Sequence, residues 1–428
     1  MKLFRSPFIF SILILINLLI FIRLRFFLPQ MAGPSQLLDL ETYYRLVEGV
    51  LMGINPYTVS YMQTLGPPTV LFYFLPFSIF SLPTAKFLFT IINIICGFAT
   101  CYVLAKKLSS QEKSVNVESR LPPSFRNFGR ASRGNDGRNS HPKFINPSVL
   151  SNYRNIWFLI LTLLFFSSFP VRFSIEMGQP NLVIGYLVSL LICSVTSKNN
   201  SAVPRFYSGL LNNSYGKQVP YILASIVILK TNYLITLISL LKNNSKLTAK
   251  TLIIILGTVV LMLPVVKLSF YTFYLLNKTG NFIPQISNNQ QLNYYNQSIP
   301  ARLNVLGLEH TALLFYVVLA LIILMCVYRS GNIILGIIAS IILSPVSWQH
   351  YYAVLFPVFI FTFVNTKNIR YRILLLIAYL LFWIEFPFLH NTGVNLFTAL
   401  ISSHYLISAI ILFTLIFKQK IPTSSVSK

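Results

Sequence analysis

Apolar residues run along this chain in long blocks, separated by polar turns and two longer polar stretches. Blocks at 6–28, 84–105, 251–270, 311–328, 373–389 and 397–417 come near or reach the ~20 residues that carry a helix through a hydrocarbon layer ~30 Å thick, and those at 156–171, 182–196, 333–343 and 353–364 are shorter crossings. The pattern changes after the first block. From Asp39 onward, Tyr43, Tyr44, Leu46, Val47, Val50 and Leu51 recur at helical spacing with Arg45 and Glu48 opposite, which predicts a helix lying on a membrane surface. Asn55-Pro56-Tyr57 ends it, because a residue before Pro avoids the helical conformation. Pro67-Pro68 then opens an apolar run interrupted by Pro76 and closed by Pro83, too short to cross and read as re-entrant or interfacial. Within 220–241, Lys230-Thr231-Asn232 breaks an otherwise apolar block into two half-spans, a form found where backbone lines a polar cavity.

Charge tests this layout. With both termini cytoplasmic and each half-span counted, the chain crosses twelve times, and 25 of its 34 Lys and Arg fall inside. Ten of them lie in the stretch 106–154, a polar, Ser-, Asn-, Gly- and Pro-rich loop read as disordered. Had the run after Pro68 crossed, those ten would lie outside. The expected organisation is one integral membrane domain, 1–428, all-α and polytopic. It has a first extracytoplasmic loop at 29–83, a basic cytoplasmic loop at 106–154, and a second outer loop at 271–310. The first block lacks a small-residue cleavage site and is kept as a span.

Composition adds exclusions. At 55% apolar and 10% charged residues, an ordinary soluble domain is ruled out. The net charge of +25 records orientation rather than nucleic-acid binding, since the basic residues are spread over many loops. Cys96, Cys101, Cys193 and Cys326 all sit inside apolar segments, without metal-ligand spacing. No Gly-rich phosphate loop or nucleophile elbow appears.

The candidate chemistry collects on the outer face. Asp39, Glu41, Glu48, Glu176 and Glu309 fall there with His310, His350, His390, Arg45, Arg172, Lys230 and Arg302. Such a set suits one reaction: a carboxylate takes a proton from a sugar hydroxyl attacking an activated anomeric carbon, and cations hold the departing phosphate. The outer side has no nucleotide-sugar pool, so the activated sugar would arrive on a lipid phosphate.

At these residues the chain resembles glycosyltransferase family 87, within the C-type membrane glycosyltransferases. The resemblance is carried by Asp39, Tyr43-Tyr44, Gly53, Pro56-Tyr57 and Pro67-Pro68, then by Gly178-Gln179-Pro180-Asn181, Lys230, Asn296-Gln297-Ser298 and Ser347-Trp348 with His350-Tyr351. It implies an inverting, metal-independent, cofactor-free transfer of a hexose, mannose in the family, from a polyprenyl-phosphate donor to a lipid-linked or envelope glycan acceptor. The site would lie on the extracytoplasmic side of a plasma (inner) membrane, in contact with membrane lipids. By the same resemblance Asp39 is the catalytic base, and Lys230 and His350 are candidates for the donor phosphate. The family often carries a second His where this chain has Tyr351.

Each residue also has a plainer reading. Asp39 suits a helix cap, Glu41 a solvated face, and Glu176 an ion pair with Arg172. Lys230 suits a snorkelling lysine, Arg302 a headgroup contact, and His350 with Trp348 an interfacial belt. Tyr43, Tyr44, Glu176, Gln179, Asn181, Lys230, Asn296, Gln297, Arg302, Trp348 and His350, with Glu41, make the expected substrate-binding set. A secondary transporter or lipid flippase is the alternative, supported by the break at Lys230, and a non-catalytic assembly subunit would tolerate loss of Asp39.

Overall fold

The computed structural model describes residues 37–55, 68–119, 147–196, 214–242, 244–273, 296–385 and 396–419. The first apolar block, 56–67 with Pro56, Tyr57 and Pro67, 120–146, most of the second outer loop and His390 lie outside them. Among the described residues every regular element is helical, and the one β-bridge joins Asn296 to Trp348.

Three helices are long and apolar enough to cross a bilayer: Leu82–Ser109, Ser245–Met262 and His310–Ser330. A fourth forms if the bent pair Arg154–Ser167 and Phe169–Met177 counts as one span. The remaining apolar helices, such as Asn181–Ser194, Lys217–Leu229 and Ile333–Ile342, are shorter. These counts are of the described residues, which leave out the first apolar block.

In chain order, α1 is Leu38–Leu51, α2 Leu71–Phe74, α3 Leu82–Ser119, α4 Pro147–Ser167, α5 Phe169–Met177 and α6 Asn181–Thr196. Then come α7 Ser214–Leu229, α8 Ile235–Leu241, α9 Ser245–Met262, α10 Leu268–Phe273, α11 Ile299–Val305 and α12 Glu309–Ser330. The last are α13 Ile333–Ile342, α14 Phe356–Asn365, α15 Ile369–Trp383, α16 Leu396–Ser402 and α17 His404–Gln419. Helix α3 continues past its apolar part to Ser119, well into the basic stretch.

Two hydrophobic clusters organise these helices. The larger is centred on α13, where all ten residues are buried. A helix apolar all round has no face to give to solvent, so it takes the centre. Helix α8 lies directly on it: a Cβ at Gly336 would come 2.8 Å from the Thr236 Cα. Such contacts use small residues where backbones approach closely. Asn232 Nδ2 donates to the Ser340 carbonyl at 2.9 Å and secures the same interface.

The smaller cluster joins α1 to the Pro68–Ile79 run, the start of α3, and Met262, Val266 and Phe270. Leu40, Leu46, Val47 and Val50 supply the buried stripe of α1, while Arg45 is exposed. Of the apolar positions read from the sequence, Tyr44, Leu46, Val47 and Val50 pack and Tyr43 is half-buried, while Leu51 is exposed. Tyr43 stacks on Phe74 with ring centroids 4.4 Å apart, and the Tyr44 hydroxyl donates to the Phe80 carbonyl at 2.7 Å.

The segment after α4 departs from the sequence reading. The apolar blocks 156–171 and 182–196 leave 172–181 as a short outer turn on the sequence, but 169–177 form a helix, bent 65° from α4. Ser168 is extended at the bend and Pro170, lacking an N–H, fits the first turn of a new helix but not the interior of the old one. Gly178 ends α5 in the left-handed conformation with φ +69°. A Cβ there would lie 2.7 Å from the Leu40 Cβ, so glycine is needed for backbone angle and for the approach of α1.

Candidate active site

The α5–α6 turn carries α1. Leu37 N–H donates to the Glu176 carbonyl at 2.8 Å, and Leu37 itself is left-handed at φ 62°. For a non-glycine residue that conformation is strained, and it appears where α1 must start in one direction. Two residues on, Gln179 Nε2 donates to Asp39 Oδ2 at 2.7 Å. Asp39 does not cap α1; the N-cap position is Leu37, which makes no side-chain cap bond. Its carboxylate is turned to the α5–α6 turn and leaves Oδ1 open. Burial pushes the Asp39 carboxyl above its ordinary range, opposed by the Gln179 hydrogen bond and the Lys230 charge.

Lys230 enters from the break between α7 and α8. Helix α7 stops at Leu229, Lys230 is extended, and a 3-10 turn, Thr231–Leu234, follows. The side chain is 8% exposed, so it does not snorkel to the interface. Its Nζ has no hydrogen-bond partner and rests 3.1 Å from the centroid of the Tyr351 ring.

His350 and Tyr351 come from the 3-10 turn Gln349–Leu355. The His350 carbonyl accepts from Ser174 Oγ and from Asn181 Nδ2, both at 2.9 Å, which pins the turn to α5 and α6. Both ring nitrogens of the buried His350 lack hydrogen-bond partners. Burial, helped by the Lys230 charge, holds this imidazole well below its ordinary pKa and hence neutral. The ring lies 5.4 Å from Phe173 and 4.9 Å from Tyr351.

The structure thus gathers Asp39, Gln179, Lys230 and His350 of the expected set, with Tyr43 facing Tyr351 electrostatically. Other members are engaged elsewhere. Glu41 holds Lys86 Nζ at 2.9 Å and Arg45 at 2.8 Å, which keeps its carboxyl below the usual range. Tyr44 and Asn181 serve as ties, as described. Asn296 Oδ1 accepts the backbone N–H groups of Ser298 and Ser347, and Asn296 bridges to the half-buried Trp348. Gln297 donates from Nε2 to the Ser402 carbonyl at 2.7 Å. Arg302 is buried, with Nη1 on Ser402 Oγ at 3.1 Å, and does not reach a headgroup. Arg172 lies 3.9 Å from Glu385 rather than pairing with Glu176.

In the sequence Tyr351 belongs to the Ser347–Tyr351 block of the resemblance and departs from the family at its second His position. Its place against Lys230 has no local signal, because the two residues are far apart in the chain. Among the described residues, no three His, Cys, Asp or Glu side chains come together in a way that could hold a metal ion.

Chemically, the arrangement offers a carboxylate held through one oxygen, a buried imidazole and a buried lysine amine, the last two without hydrogen-bond partners. The family model described as Glycosyltransferase family 87 matches residues 65–345. That range includes Gln179, Asn181, Lys230, Asn296, Gln297 and Arg302; Asp39 precedes it, and Trp348, His350 and Tyr351 follow it. No curated protein and no solved structure matches the chain. The family match spans well over half of the chain and shows that the chain belongs to glycosyltransferase family 87.

Proposed function

We infer that this glycosyltransferase moves a hexose, mannose by its likeness to the family, from a polyprenyl-phosphate donor to a lipid-linked or envelope glycan acceptor. In this reading the protein is multi-pass in a plasma (inner) membrane. Twelve crossings, several of them half-spans, leave both termini cytoplasmic and Asp39 on the outer side.

Asp39 acts as general base through Oδ1 while Gln179 fixes Oδ2. The acceptor hydroxyl loses its proton to Asp39 as its oxygen bonds to the anomeric carbon. The bond from that carbon to the phosphate oxygen breaks on the opposite face, so configuration inverts. The electron pair leaves with the polyprenyl phosphate, where the Lys230 ammonium takes up negative charge. A neutral His350 offers one N–H to a phosphate oxygen. A raised carboxyl pKa strengthens Asp39 as a base, because proton affinity near the working pH is what a general base needs.

The observation that carries the reading is that Asp39, held by Gln179 at 2.7 Å, and the buried Lys230, whose Nζ has no hydrogen-bond partner, are brought near each other although burial works against the charged form of each and their mutual attraction opposes it. The test is sugar transfer in membranes supplied with radiolabelled polyprenyl-phosphate-mannose, at equal expression. Asp39→Asn should lower transfer by on the order of 10²- to 10⁴-fold, the contribution usual for a positioned base. Survival of transfer would remove Asp39 as the base. The alternative of a transporter or flippase, favoured by the break at Lys230, predicts lipid movement that Asp39→Asn leaves intact and no new glycosidic bond.

A further inference from the structure

Asp39 and Lys230 lie near enough to favour each other's charged form, against the burial that disfavours both, and no hydrogen bond joins them. In an enclosed setting, a Lys and an Asp so placed would ordinarily gain by closing into a hydrogen-bonded ion pair. Here each has a neutral partner instead. Gln179 holds Asp39 Oδ2 at 2.7 Å, and the face of Tyr351 lies 3.1 Å from Lys230 Nζ.

The two kinds of contact differ in what they consume. A carboxylate would take N–H donors from the ammonium and lose its own proton affinity in return. An aromatic face attracts the whole charge through its quadrupole and requires no directed hydrogen bond. Lys230 is thereby stabilised while its donors stay uncommitted.

Tyr351 is itself well braced. Its N–H donates to the Trp348 carbonyl at 2.8 Å, and its ring meets His350 edge-on. The neighbouring His350 carbonyl is pinned by Ser174 and Asn181. Tyr43 from α1 and Tyr233 from the turn after Lys230 lie near enough to Tyr351 to add to the upward push that burial gives its hydroxyl.

We propose that Tyr351 is a positioning residue whose ring, together with the Gln179 amide, keeps Lys230 off Asp39, so that the carboxylate stays a free base and the ammonium stays open to a phosphate oxygen. This deepens the glycosyl-transfer reading and rests on it for the identity of the phosphate.

The titratable groups that bear on Asp39 are Lys230, Tyr351 and, through Tyr351, Tyr43 and Tyr233; His350 faces Lys230 and is neutral. Removing the ring lets Lys230 approach Asp39 and stabilises its ionised form. Protonation of Asp39 then requires a lower pH.

The test uses the full-length protein and two readings. One is the pH at which a hydrophobic carbodiimide, which reacts with the protonated carboxyl, labels Asp39 to half its maximum, followed by peptide mass spectrometry. The other is the acidic limb of the kcat/KM profile for transfer. In Tyr351→Leu both should move to lower pH by about one unit or more, the usual effect of an opposite charge drawn close. The kcat/KM should also fall about tenfold or more, as when one charge-assisted contact is lost. Tyr351→Phe, which keeps the ring face, should restore both half-points and most of the rate.

An unmoved labelling half-point in Tyr351→Leu overturns the proposal, as does an equal shift in Tyr351→Phe. If Tyr351→Leu does not fold, Tyr351→Met is read by the same criteria. A wild-type protein that shows the labelling difference but transfers no sugar would defeat the reaction reading and leave the separation of charges standing.

Discussion

Asp39 combines a demand of chemistry with a cost to folding. Its carboxyl is raised chiefly by burial, so the folded state holds the proton more tightly than the unfolded chain does. Between the unfolded and folded pKa values, stability therefore falls as pH rises, and above the folded pKa the full penalty is present. Asp39→Asn should remove that penalty, since Asn Oδ1 can still accept from Gln179. The expected gain is about 1.4 kcal/mol for each unit of the shift. It should be read as a higher Tm at pH 8 that shrinks toward acid, in the same variant that loses transfer. Glu41, two residues away, behaves oppositely. Its carboxyl is lowered by Lys86 and Arg45 on a largely open face, and such pairs contribute only ~0–1 kcal/mol. Glu41→Gln should change kcat/KM by less than about threefold and Tm little, at neutral pH.

At the scale of elements, α5 does more than its nine residues suggest. Its end supports the strained Leu37, presents Gln179 to Asp39, and pins the His350 turn through Ser174. Gly178→Ala tests this directly. The left-handed backbone costs about 1–2 kcal/mol for an alanine, before the clash with Leu40 is counted. The Leu40 contact should push the first turn of α1 away. Displacing a base by ~1 Å lowers a rate by on the order of 10²-fold. The expected result is a transfer defect larger than the fall in Tm would predict, and a proportionate loss of both would argue for simple unfolding. Gly336→Val is the counterpart on the cation's side. It pushes α8 away from α13 just beyond the Lys230 turn, costing about 1–3 kcal/mol by overpacking. It should raise KM for the polyprenyl-phosphate donor more than it lowers kcat.

For the whole molecule, the site lies at the seam between two cores. Asp39 belongs to α1 and the smaller outer cluster, while Lys230 and His350 are flanked by residues of the larger one. Asp39 and the Lys230–His350 pair therefore sit against different packed clusters. Phe74→Ala should show it. Phe74 is fully buried in the smaller cluster under Tyr43, and truncating such a ring costs ~3–5 kcal/mol. Amide hydrogen exchange should rise across α1 and the Pro68–Ile79 run and stay unchanged in α13. Uniform acceleration in both would mean that the two clusters melt as one.

The apolar blocks, the buried stripe of α1, the break at Lys230 and the candidacy of Asp39 were all legible in the sequence. Periodicity, proline and a polar residue in an apolar block act through neighbours along the chain, so they can be read along it. The bend at Ser168 and the helix after it were not, because an outer turn and a short helix share the same polar spacing. The division of polar residues between site and scaffold was hidden as well. Asn181, Asn296, Gln297 and Arg302 looked as suited to a substrate as Gln179 and His350 did. What separates them is contact with distant chain: Gln179 meets a residue 140 positions away, and Asn181 one 169 away. A hydrogen-bonding side chain has the same donors and acceptors in either role. Only the packing of α5, α6 and the Gln349–Leu355 turn decided which were consumed as ties and which, like Lys230 and His350, were enclosed with nothing to bond.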